Sequence, residues 1–152
     1  MDDDLLRLLA DERALARLTE NYARATDRRE LSSAAALFTE DGLLTLFMDG
    51  AGSEPTGCHQ GRAAIEAALA TVNRFDITTH ILGQRTFDVR GDEARGETYC
   101  LAYHVRNRPG QRVNVVLAIR YLDTCVRRDG RWLFGERQLI ADWSERFEQR
   151  QS

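Results

Sequence analysis

The chain has 152 residues, 43% of them hydrophobic and 30% charged, with a formal net charge of -3 and a pI near 5.6. That length predicts one domain over residues 1–152 with a core of its own, and the acidic balance argues against nucleic acid, whose phosphates need a concentrated basic face. No apolar run approaches the ~18 residues of a membrane span, and Met1-Asp2-Asp3-Asp4 opens acidic where a secretory leader opens basic. The expectation is a cytoplasmic protein with no membrane partner.

Every basic residue other than histidine is arginine. This removes Schiff-base chemistry and a Walker-type phosphate loop, both of which need a lysine amine. Cys58, Cys100 and Cys125 are odd in number and form no CxxC pair, so reduced thiols are expected.

In chain order, a short opening helix is predicted over residues 4–10. Asp11 then reads as the N-cap of a second helix reaching Asp27, with Leu15, Leu18, Tyr22 and Ala25 as its apolar stripe. An alanine-rich helix over 31–38 stops at Glu40-Asp41-Gly42. A strand over 43–47, a glycine-rich loop over 48–59 and a helix over 61–72 follow.

From residue 78 the pattern turns extended, with strands at 78–90, 93–107, 112–127 and 131–143. Arg90-Gly91-Asp92, Arg108-Pro109-Gly110 and Asp129-Gly130 supply the hairpin turns between them. The charged tail 145–152 is expected to fray. Helices followed by a long antiparallel meander imply an α+β fold, with helices packed on a curved sheet and a cavity between them.

Four residues can carry chemistry in such a cavity. His80 shares a strand face with Thr78 and Leu82, and a histidine near its ordinary pKa of ~6.5 is a natural base at neutral pH. Asp27, placed against the unfavourable end of its helix dipole, can fix that histidine's tautomer. Tyr22 offers a phenol one turn earlier, and His104 lies on a face with the small residues Cys100 and Ala102. Read from the residues alone, a hydrogen-bonded structural histidine and a core tyrosine fit equally well. The scattered histidines lack the spacing of a zinc site, so no metal and no cofactor is expected.

The order of Tyr22-x4-Asp27, Leu37-Phe38-x-x-Asp41-Gly42, Gly61-x-x-x-Ile65, Thr79-His80-x-x-Gly83 and Arg127-x-Asp129-Gly130-x-Trp132 resembles the nuclear transport factor 2-like superfamily, in its SnoaL-like branch. The resemblance spans about residues 5–143 and implies a cone of curved mixed sheet around N-terminal helices, the cystatin-like α+β barrel. Within the branch the chain is similar to the group of scytalone dehydratase, bile acid 7α-dehydratase and hexachlorocyclohexane dehydrochlorinase.

That likeness implies pairing of Asp27 with His80, with Tyr22 and His104 as further catalytic groups. Phe38 and Phe47 stand in the region where scytalone dehydratase carries a tyrosine, and are expected on the pocket wall. The lysine of the dehydrochlorinase has no counterpart. The implied activity is that of a cofactor-independent lyase acting on a small, mostly apolar hydroxylated ring. An isomerase, a polyketide cyclase and a non-catalytic small-molecule binder remain alternatives, and the superfamily implies a homodimer or homotrimer.

Overall fold

The computed structural model describes residues 2–150. It is an α+β fold in which one six-stranded mixed sheet curls, without closing, over the N-terminal helices.

Helix α1 runs unbroken over Asp3–Asp27, capped by the Asp2 carboxylate on the Asp4 amide at 3.1 Å. The expected break at Asp11 does not occur, because that residue serves long-range bonds instead. Its buried carboxylate accepts from Arg127 at 2.7 and 3.0 Å and from the Trp132 indole at 3.0 Å. Leu15, Leu18, Tyr22 and Ala25 are buried against the sheet as the stripe requires, and each large side chain so placed stabilises the fold by roughly 1.5–3 kcal/mol.

Helix α2 covers only Leu31–Ala35, and Phe38 belongs to β1 (Phe38–Phe47) rather than to the helix. Asp41-Gly42 is an irregularity inside this strand, between the paired residues Phe38 and Leu43. A Cβ at Gly42 would lie 2.8 Å from the Phe38 Cβ, so the kink depends on glycine. The stretch expected to be loop ends in a short strand, β2 (Gly57–Gln60), paired antiparallel with β1. Helix α3 (Arg62–Leu69) continues as a 3₁₀ turn over Ala70–Arg74.

The meander consists of β3 (Ile77–Arg90), β4 (Glu93–Arg108), β5 (Gln111–Arg128) and β6 (Arg131–Arg150). Sheet order is β2-β1-β6-β5-β4-β3, with β1 and β6 parallel and all other neighbours antiparallel. The tail does not fray up to Arg150. Residues from Glu145 onward pair with β5 between Val116 and Gln111, while the last two residues lie outside the described range.

Register shifts in β3–β4 and twice in β5–β6 bend the long strands into the curl. Among the described residues, no helix is long and apolar enough to cross a membrane.

Candidate active site

The end of α1 meets the start of β3. His80 sits second in a row with Thr78 and Leu82, while Thr79 and Ile81 face solvent. Asp27 stands behind it. The Asp27 Oδ1 lies 2.6 Å from His80 Nδ1 and accepts from the Thr78 hydroxyl at 3.0 Å, and its Oδ2 accepts the His80 backbone amide at 2.8 Å. Arg24 and Arg28 do not take this carboxylate, and Arg28 pairs with Glu30 instead.

Burial pushes the Asp27 carboxyl up, but the bonds from the His80 ring, the His80 amide and Thr78 outweigh it and hold the group below the ordinary carboxylate value. An ionised carboxylate only accepts, so Nδ1 is the ring nitrogen that donates to Asp27, and in the neutral imidazole the lone pair then falls on Nε2. Nε2 has no protein hydrogen-bond partner among the described residues.

His80 also lines an apolar cavity of about 130 Å³, between the curled sheet, α1 and the end of α3 with its 3₁₀ turn. Leu44, Leu46, Leu69, Leu117 and Leu139 are among its apolar lining. The polar atoms come from His80, His104, Tyr22, Tyr121, Thr26 and Thr71. Asp27 backs His80 without itself lining the cavity. Its side chain is 22% exposed, on a wider outer groove that Arg24, Arg28, Arg85 and His80 also line, and that of His80 is only 7% exposed.

Tyr22 and His104 do join this cavity. Burial pushes the Tyr22 phenol up to about 12, so it keeps its proton. Burial, aided by the neighbouring His80, lowers His104 to about 4, leaving a neutral imidazole. The two histidine rings meet edge to face at 5.8 Å.

Phe38 and Phe47 are not on the wall, contrary to expectation. Phe38 is fully buried in an aromatic cluster, 6.1 Å from the Tyr22 ring and 5.2 Å from Phe134. Phe47 alternates with Leu46, which takes the position on the cavity wall.

Sequence reasoning also missed Arg137 and Asp123. They face each other across β6 and β5 in a two-pronged pair at 2.7 and 2.8 Å. The guanidinium lies 4.4 Å from the Tyr22 ring centre and 4.0 Å from those of Tyr121 and Phe134. The pair therefore underpins both tyrosines that reach the cavity. Among the described residues no three His, Cys, Asp or Glu side chains group so as to hold a metal ion.

Fold and site together define an α+β protein built around an apolar cavity, with an imidazole–carboxylate pair in its wall. The chain belongs to the SnoaL-like domain family, which matches residues 7–138. No curated protein matches the chain at a significant level.

Solved structures do match. A candidate scytalone dehydratase of Novosphingobium aromaticivorans is 29% identical, with a TM-score of 0.74 over 90% of this chain and 87% of that one. A type 3 hexachlorocyclohexane dehydrochlorinase of Novosphingobium barchaimii is 20% identical, with a TM-score of 0.77 over 93% of each chain. A protein of unknown function with a cystatin-like fold from Nostoc punctiforme is 20% identical, with a TM-score of 0.66 over 88% and 92%. The last two show likeness of fold alone.

Proposed function

We propose that the protein is a cofactor-independent lyase of the dehydratase type, acting on a small, mostly apolar ring that bears a hydroxyl and a carbonyl. The observation that carries this reading is the 2.6 Å contact between His80 Nδ1 and Asp27, which leaves the second ring nitrogen without a protein partner beside an apolar cavity. A structural histidine normally has its polar atoms satisfied. This one has a ring nitrogen with no protein partner among the described residues.

In the proposed reaction His80 Nε2 takes the proton next to the carbonyl, and Asp27 stabilises the imidazolium that forms. The electron pair of the broken C–H bond becomes the new C=C bond as the β-hydroxyl departs. The proton held by His80 leaves with that hydroxyl as water. Tyr22, which keeps its phenolic proton, hydrogen-bonds the carbonyl or the departing oxygen. His104, being neutral, can orient the substrate but has no imidazolium proton to give near pH 7.

The cavity volume of about 130 Å³ suits a single six-membered ring, since a dry apolar cavity of ~150 Å³ accommodates benzene. The likeness to a candidate scytalone dehydratase supports elimination. Isomerisation and cyclisation begin with the same proton transfer, and product mass separates them, because only elimination loses water. Replacing His80 by Ala in an otherwise folded protein is the test, and unchanged turnover would reject the assignment.

We further read the outer sheet face as a homodimer or homotrimer interface. Ile77, Ile81, Tyr99, Leu101 and Trp143 leave large apolar side chains in water there. Light scattering that returns a monomer mass would remove this reading.

A further inference from the structure

The helix that delivers Asp27 ends in an unusual way. The Glu30 amide donates to the Ala25 carbonyl at 2.9 Å and the Arg29 amide to the Thr26 carbonyl at 3.1 Å, a Schellman ending. Such an ending places its next-to-last residue in the left-handed region, where glycine is customary. Here that residue is Arg29, with φ at 62°. A side chain held in this conformation is strained, and such strain gathers at functional sites.

The guanidinium of Arg29 is engaged through both terminal nitrogens. One nitrogen donates to the Asp27 carbonyl at 3.1 Å and to the Thr78 hydroxyl oxygen at 2.6 Å, and the other donates to the Phe75 carbonyl at 3.0 Å. Arginine has no acceptor atom. Thr78 must therefore accept from Arg29, and its single O–H proton is left for Asp27 Oδ1, 3.0 Å away. The direction of each bond from Arg29 through Thr78 to Asp27 is thereby set, and an ionised Asp27 can only accept from the His80 ring.

We propose that Arg29 is the positioning residue of the Asp27–His80 pair, acting through the Thr78 hydroxyl. Its fork ties the helix end to the loop before β3 and commits the Thr78 proton to Asp27. This deepens the catalytic reading of the pair, but it concerns bond direction and is measurable without a substrate.

The test is NMR of the full chain, following the His80 ring proton and the Asp27 carboxyl carbon as pH is varied, with His80→Ala assigning the ring signal among the three histidines. Other ionisable groups around the pair are Glu20, Arg24, Arg28 and Arg85 along the outer groove, and Cys100 and His104 from β4. All of these remain in the variants.

In Arg29→Gly the ring proton is expected to exchange with water at least tenfold faster, and Asp27 to titrate at higher pH. Thermal stability should be retained, because glycine suits the left-handed position. Thr78→Val should show the same shifts, and the double variant should show no more than Thr78→Val alone. Should Arg29→Gly fail to fold, Arg29→Asn replaces it, since asparagine also tolerates this conformation.

Wild-type exchange and titration in the Arg29 variant, or shifts that add to those of Thr78→Val, would overturn the proposal. A protein showing all the expected shifts while His80→Ala leaves turnover unchanged would sink the catalytic reading and leave this one standing.

Discussion

Of the carboxylate–base pairs among the described residues, Arg137–Asp123 and His80–Asp27 are built to opposite ends. Arg137 and Asp123 have side chains 1% and 0% exposed, bond each other twice and sit among three aromatic rings. Burial pulls the Arg137 guanidinium down, and Asp123 more than reverses the effect, so it stays charged. Asp27 and His80 use one ring bond, are partly reached by water on the carboxylate side, and leave a nitrogen at a cavity. A closed pair holds structure, and an open pair can hold and release a proton. The difference lies in the surroundings more than in the residue types.

Breaking the open pair should cost activity and little else. His80→Ala is expected to lower turnover of a ring substrate by roughly 10²–10⁴-fold, the range for one positioned acid–base group, with the fold retained. Breaking the closed pair should do the reverse. Asp123→Ala leaves a buried, unpaired guanidinium and is expected to cost roughly 3–5 kcal/mol of stability, read as a lower denaturant midpoint at unchanged slope.

Acid sharpens the contrast. The folded pKa of His104, about 4, lies below its ordinary 6.5. As pH falls from 6.5 to 4 the unfolded chain takes up a proton that the folded one refuses, so stability drops across that window. From ~1.36 kcal/mol per unit, the drop is on the order of 2–3 kcal/mol. Asp27 has a lowered folded pKa, so its contribution is present above the ordinary carboxylate value of 3.8 and is lost below it. Denaturant midpoints from pH 8 to pH 4 should fall for the wild type and fall distinctly less for His104→Gln. The smallest effect is expected for Tyr22→Phe, which keeps the aromatic cluster and removes one neutral hydrogen-bond donor. A loss of about tenfold in turnover, roughly one hydrogen bond, would place the phenol against the substrate, and no loss would return Tyr22 to packing alone.

The open side of this contrast is legible in the amino-acid sequence. The Tyr22-to-Asp27 stripe, the alternation around His80 and the meander turns each carry their own local signal. Asp129 and Gly130, at φ of 49° and 74°, form the tight turn that their residue types suggest.

The closed pair is hidden there for a physical reason. Asp123 alternates inward with Tyr121 and Cys125, a signal present in the sequence. Arg137 does not follow from Trp132 and Phe134, whose alternation points Glu136 inward. Gly135 has no partner between the Phe134–Cys125 and Glu136–Thr124 pairs, and this bulge passes the inward position to Arg137. Asp11 misleads for a related reason. It has the residue type of a helix cap, but its partners Arg127 and Trp132 lie more than a hundred positions away and leave no local trace.

Whether the open pair moves protons for a substrate can be measured directly. The probe is 3-hydroxycyclohexanone, a single ring with a hydroxyl two carbons from its carbonyl, incubated in deuterium oxide and followed by mass spectrometry. The wild type is expected to exchange the hydrogens beside the carbonyl and to release water, giving cyclohexenone, while His80→Ala and Asp27→Asn do neither above the uncatalysed rate. Equal exchange in the wild type and in His80→Ala, with the probe bound in both, would contradict proton abstraction by His80.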